Sequence, residues 1–80
     1  MTLIQLAKVL VSLESENDVT NFLRGLFTPQ EIVMIKQRLD IVKLLKQGVP
    51  QRTIARKLGV GIATVTRGAR EIKLGRFKHV

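Results

Sequence analysis

Gly48, Pro50, Gly59 and Gly61 fall so close together that the C-terminal half of this chain cannot form one long helix. Glycine past a helix end stops it, and proline, which lacks an amide hydrogen, blocks continuation. What the punctuation leaves is two short helices, roughly 51–58 and 62–73, joined through Gly59-Val60-Gly61. Ala55 is small, as required where two helices cross closely, and Gly59 accepts the positive φ of a tight turn. Ile54, Leu58, Val60 and Val65 have the spacing to fill a small core between the helices. This is the helix-turn-helix pattern, whose second helix enters the DNA major groove with its N-terminal residues facing base edges. A helical hairpin used only for packing satisfies the same apolar spacing. It leaves the Arg and Lys of the second helix unexplained.

Charge points the same way. The chain carries +8, but residues 1–42 hold four basic and five acidic side chains, whereas residues 43–80 hold ten basic ones against Glu71 alone. Such asymmetry serves a polyanion. Even spacing would serve solubility equally well, and the basic half lacks the bulky apolar face that a membrane surface needs. Nucleic acid is the better partner.

Eighty residues make one domain. A chain of this size buries only roughly 60% of its unfolded surface, so a monomer is marginal unless something else covers its apolar side chains. Without cysteine there is no disulfide and no thiolate metal site, which suits a reducing cytoplasm. The single histidine, His79, has no obvious partner and reads as a disordered tail residue. Nucleophile, base and orienting group cannot be assembled from this set, so a non-enzyme is expected.

Leu3 to Leu13 is apolar except for Gln5, Lys8 and Ser12, which a helix gathers onto one narrow stripe. A helix wrapped so widely in Leu, Ile and Val needs cover on most sides. A signal peptide does not fit: no basic region precedes the run, no small-residue cleavage site follows, and Glu14, Glu16 and Asp18 come next. The run is also far shorter than the ~20 residues that span a bilayer. A second subunit is the expected cover. Asn17-Asp18 is expected to cap a second helix carrying Val19, Phe22, Leu23 and Leu26. Thr28 then opens a third, with Pro29 at its first position and Glu31 closing a capping box. Ile35, Leu39, Val42 and Leu44 or Leu45 are expected on its buried side, and it ends near Gln47. The chain is all α: a single domain over 1–80, with dimerisation and core helices in 1–48, the helix-turn-helix in 51–73 and a basic tail in 74–80.

Within the second short helix, Ile62, Ala63 and Thr66 form a face suited to thymine methyls, and Arg52 is placed to meet a guanine edge bidentately. Gln51, Arg56, Lys57, Thr64, Arg70 and Lys73 are better placed for phosphates, which set affinity more than sequence. Any one of these cations alone reads equally well as a solvated surface charge. Their clustering is the signal.

Gly61-Ile62-Ala63-Thr64-Val65-Thr66-Arg67-Gly68, preceded by Gln51-Arg52, resembles the reading head of the tryptophan operon repressor family. The likeness extends through Phe27-Thr28-Pro29-Gln30-Glu31, Arg38 and Ile41-Val42, covering most of residues 17–73. It implies an intertwined all-helical homodimer that represses transcription by binding palindromic operator DNA when L-tryptophan is bound. Water-mediated base contacts belong to the family already and come with the resemblance. Arg38 and Arg67 match the arginines that sandwich the indole ring, with cation–π stacking as the physical basis. Thr28 and Gly68 match positions lining the same pocket, and the carbonyls near Gly25 and Phe27 would meet the amino group from the other subunit. Thr28 is also explained as an N-cap alone, and Arg38 as a partner of Asp40 or Glu31.

There are departures. Glu71 stands where the family usually has serine near the ligand amino group, and either binds an ammonium directly or crowds the pocket. Ala55 replaces a lysine, the turn from Gly48 to Gln51 is one residue shorter, and a fold lacking the family's last helix is expected, with Gly75-Arg76-Phe77 following the reading helix. Two other readings fit the residues: a ligand-independent helix-turn-helix module of the transposase or plasmid type, and a pure protein-interaction domain.

Overall fold

The computed structural model describes all of residues 1–80 as five helices and no strand: α1 (Leu3–Ser12), α2 (Glu16–Leu26), α3 (Pro29–Lys46), α4 (Gln51–Leu58) and α5 (Ile62–Lys73). They form two compact units, Met1–Ile32 and Val33–Val80, with the boundary inside α3.

Side-chain caps start each helix of the N-terminal unit. Thr2 Oγ1 accepts the Gln5 amide at 3.1 Å while Gln5 Oε1 accepts the Thr2 amide at 2.7 Å, a reciprocal box that satisfies two otherwise orphaned donors. The cap of α2 is Ser15, not Asn17-Asp18: Ser15 stays extended and its Oγ accepts the Asp18 amide at 3.0 Å. Asn17 and Asp18 are already inside the first turn, where the Asp18 carboxylate complements the helix dipole. At α3 the expected box is present. Thr28 Oγ1 accepts the Glu31 amide at 3.2 Å, Glu31 Oε1 accepts the Thr28 amide at 2.9 Å, and Pro29 is the first helical residue.

No side chain of this unit is fully buried. Leu6, Leu13, Val19, Phe22, Leu23, Phe27 and Ile32 are half-buried, while Leu3 is 80% and Val11 85% exposed. Local hydrogen bonds specify these helices, but nothing within the chain seals their apolar surface.

The C-terminal unit has a true core. Ile41, Ile54 and Val65, one from each of α3, α4 and α5, form a cluster almost completely excluded from solvent, and Val42 is buried outside that cluster. Leu44, Leu45, Val49, Ala55, Leu58 and Val60 pack around this centre. Burying an Ile or Val side chain contributes about 1.5–3 kcal/mol, so these few residues hold the three helices together. Ile35 and Leu39, expected on the buried side of α3, are 39% and 37% exposed. The core instead sits over the C-terminal half of α3, where α4 and α5 dock.

Glycine shapes all three exits. After α3, Gly48 adopts φ 84°, with its amide on the Leu45 carbonyl (3.0 Å) and the Val49 amide on Leu44 (3.1 Å), a Schellman motif. Gly59 takes φ 67°, and the Val60 amide closes on the Ala55 carbonyl at 3.0 Å. Gly75 takes φ 82°, with Gly75 bonded to Ile72 and Arg76 to Glu71. Residues after α5 are therefore not a free basic tail. They turn back, and Lys46 Nζ donates to the carbonyls of Phe77 and, at 2.7 Å, Val80.

Candidate functional site

The expected helix-turn-helix lies where the punctuation placed it, with helices 51–58 and 62–73. Its second helix starts at Gly61, an N-cap with no side chain to bond the first-turn amides. The Thr64 amide closes on the Gly61 carbonyl at 3.1 Å, and the amides ahead of it, with a dipole end of roughly half a positive charge, are left at the leading end of α5. Around that end Ile62, Ala63, Thr64 and Thr66 are exposed. Arg52, Arg56 and Lys57 of α4, and Arg67, Arg70 and Lys73 of α5, are exposed as well. None of these cations is held in an ion pair. They keep their full capacity for a polyanion.

Gln51 is only half-buried and has a partner that sequence reading missed. Thr66 Oγ1 donates to Gln51 Oε1 at 2.9 Å, tying the start of α4 to the second turn of α5. Thr64, expected among the phosphate contacts, also lines a groove on the other flank of α5.

That groove, about 510 Å³, lies between α3 and α5. Ile35, Leu39 and Val42 form its apolar floor on α3, and Arg38 rises from the same helix. Thr64, Arg67, Gly68 and Glu71 line it from α5. Its size falls within the ~300–1,000 Å³ typical of small-molecule sites. Arg38, Arg67, Gly68 and Glu71, separated by up to 33 positions in sequence, are thereby brought to one cavity. Arg38 pairs with neither Asp40 nor Glu31; the Glu31 carboxylate is occupied by Thr28. Gly25, Phe27 and Thr28 belong to the N-terminal unit, where Thr28 acts as the α3 cap.

Gly68 is glycine for a packing reason. A Cβ there would stand 3.2 Å from Ile41 Cγ2 and 3.4 Å from Leu45 Cδ1, so α5 approaches α3 more closely than a side chain permits without displacement. Close approach at Gly68 brings the groove's two walls together.

Two further residues at the groove lie outside the motif: Arg76 and Phe77, delivered by the reversal at Gly75. Arg76 Nε meets Glu71 Oε2 at 3.2 Å, the one ion pair in the structure. A glycine directly after a helix, followed by an aromatic, was the available signal, since an αL exit redirects the chain across the helix it has left.

These features define an all-helical protein built around a basic helix-turn-helix, with a cavity behind its second helix. The family model of the Trp repressor protein matches residues 1–79, and the chain belongs to that family. It is 52% identical over 50 residues to the Trp operon repressor homolog of Vibrio vulnificus (strain YJ016), an alignment covering 61% of this chain and 49% of that protein. Identity to the homolog of Aliivibrio salmonicida (strain LFI1238) is 37% over 70 residues, covering 86% and 65%. For the homolog of Photobacterium profundum it is 43% over 63 residues, covering 78% and 59%. The chain thus spans about half to two thirds of the length of these curated relatives. No solved structure matches it. No helix is long and apolar enough to cross a membrane.

Proposed function

We propose that the chain is a sequence-specific transcriptional repressor, acting in the cytoplasm as a homodimer on palindromic double-stranded DNA. L-Tryptophan or a related aromatic amino acid serves as corepressor in the α3–α5 groove. The observation that carries this reading is α5 itself. One flank presents an uncapped N-terminus with Ile62, Ala63 and Thr66 exposed among free cations, while the opposite flank walls a ligand-sized cavity. A ligand bridging Arg38 on α3 and Arg67 on α5 therefore acts on the angle of the reading helix directly. Thr28, Gly68 and the carbonyls of Gly25 and Phe27 complete the ligand's surroundings in the dimer, and Glu71 supplies an anion for its ammonium group.

Dimerisation is supported by the unsealed N-terminal unit, whose Leu3, Ile4 and Val11 stay exposed in the single chain. The expected assembly melts at a temperature that rises with protein concentration, because association stabilises only the folded form. Titration of palindromic and random duplexes, with and without L-tryptophan, tests the whole reading. Preference for the palindrome that strengthens with the amino acid supports it. Preference that ignores the amino acid leaves a ligand-independent DNA-binding module.

A further inference from the structure

The groove's third side comes from the segment that follows α5. Gly75 reverses the chain, the Arg76 amide bonds the Glu71 carbonyl at 3.1 Å, and Lys46 holds the Phe77 carbonyl. Two independent anchors, the Gly75 exit and the Lys46 bond, thus bring two side chains to one cavity: the half-buried Phe77 ring and the Arg76 guanidinium. The cavity keeps its 510 Å³ with Phe77 in place, so the ring is a wall and not a plug.

At the rim, the Glu71–Arg76 pair uses one atom from each partner, Oε2 and Nε. Oε1 of Glu71 and the two terminal amino groups of Arg76 are not consumed by this bond. An acceptor for an ammonium and a donor fork for a carboxylate therefore stand side by side, each polarised by the other. The carboxylate is 29% exposed and the guanidinium 67%, so solvent screens the pair only partly on the Glu71 side.

We propose that Arg76 and Phe77 are specificity-determining residues of this groove. Arg76 acts with Glu71 as a zwitterion clamp, and Phe77 is the apolar wall against the ligand's ring. The ligand class is a flat apolar body bearing an ammonium and a carboxylate on one and the same carbon. The inference rests on the reading of the groove as a ligand site and adds residues to it that lie outside the reading-head motif.

The test is calorimetric titration of the full chain with three probes sharing an indole ring: L-tryptophan, indole-3-propionate (carboxylate only) and tryptamine (ammonium only). The unaltered protein binds L-tryptophan most tightly. Glu71→Gln weakens L-tryptophan and tryptamine about tenfold, the scale of one charge-assisted hydrogen bond, and spares indole-3-propionate. Arg76→Ala weakens L-tryptophan and indole-3-propionate by about the same factor and spares tryptamine. Phe77→Ala weakens all three alike. Thermal melts confirm that each variant stays folded. A merely structural role for Glu71 or Arg76 shifts the three probes together, and that outcome overturns the clamp while leaving the ligand site standing. If none of the probes binds the unaltered protein, the ligand reading of the groove falls, and the clamp with it.

Discussion

Thr66 and Gln51 are joined side chain to side chain across the helix-turn-helix, hydroxyl to amide oxygen, at 2.9 Å. One is a residue of the reading face and the other stands at the first position of the preceding helix. The bond holds the Thr66 rotamer in the free protein, and in the proposed DNA reading ordering a side chain in advance removes part of the entropic cost of binding. Gln51→Ala is expected to change thermal stability little, since the bond is solvent-exposed. It should lower the palindrome-to-random affinity ratio by about two- to tenfold, the range of one net hydrogen bond. A double variant with Thr66→Val should lose no more than the larger single effect, because both changes remove the same interaction. Additive losses would show that the two residues act separately.

Under the proposed DNA reading, the exposed cations divide into base readers and phosphate contacts. Arg52→Ala should relax preference at one position in each half-site, at a cost of about 1–3 kcal/mol. Lys73→Ala should weaken all sequences alike and reduce the slope of log affinity against log salt by about one. Salt titrations on matched and scrambled duplexes separate the two behaviours. Identical responses to both substitutions would sink the division.

The helix-turn-helix was legible because its signals are local and redundant. Gly59 requires its turn, and Ile54, Leu58 and Val65 can meet in only one way once that turn is made. Other features depended on tertiary choice. Apolar residues of α3 lie on more than one face, so the spacing favours Leu39 where the structure buries Ile41. Docking of α4 and α5 against the C-terminal half of α3 buried Ile41 and left Leu39 to line the groove. Ser15, Asn17 and Asp18 are all competent caps, and the one that stays extended wins. Arg76 and Phe77 escaped because their role is created by the reversal at Gly75. Arg38, Arg67, Gly68 and Glu71 are linked in the sequence only by family resemblance, not by any local pattern, and they line one cavity.

Two helical glycines should respond oppositely to substitution. Gly25 has open space where a Cβ would project, and Gly25→Ala should stabilise the protein by about 0.5–1 kcal/mol through helix propensity. At Gly68 the same space is filled by Ile41 and Leu45, so Gly68→Val should cost about 1–3 kcal/mol by overpacking. It should also widen the α3–α5 groove. Denaturant melts measure both, and a destabilised Gly25→Ala variant would contradict the local packing.

The Thr28–Glu31 box adds a pH dependence of known sign. The backbone hydrogen bond from Thr28, then the one with its side chain, holds the Glu31 carboxyl below the usual carboxylate range. A folded-state value below the unfolded one means the stabilisation is present above the ordinary glutamate range. It is lost as pH falls through the depressed value. Melting temperature should therefore drop on acidification partly through this residue. In Glu31→Gln, where an amide oxygen replaces the carboxylate, that component of the acid slope should vanish. A variant whose acid slope matches the parent's would show that Glu31 titrates alike in both states.

The corepressor switch makes the most demanding prediction. If a ligand in the groove favours the DNA-competent setting of α5, it must bind that setting more tightly than the alternative, because equal affinity for both shifts nothing. Linkage then fixes a reciprocity. Operator DNA must tighten ligand binding by the same factor by which the ligand tightens DNA binding. Arg67→Ala is a poor probe, since Arg67 lies on the reading helix and can touch DNA as well as ligand. Arg38 lies on α3 at the groove and pairs with no carboxylate. Arg38→Ala should therefore abolish the response to L-tryptophan while leaving ligand-free DNA affinity nearly unchanged. Calorimetry of all four legs, with the parent and with Arg38→Ala, closes the cycle. Coupling in the parent and none in the variant shows that the switch depends on Arg38 at the α3–α5 groove. Loss of ligand-free DNA affinity in Arg38→Ala would instead make Arg38 a support of the reading head and remove it from the ligand site.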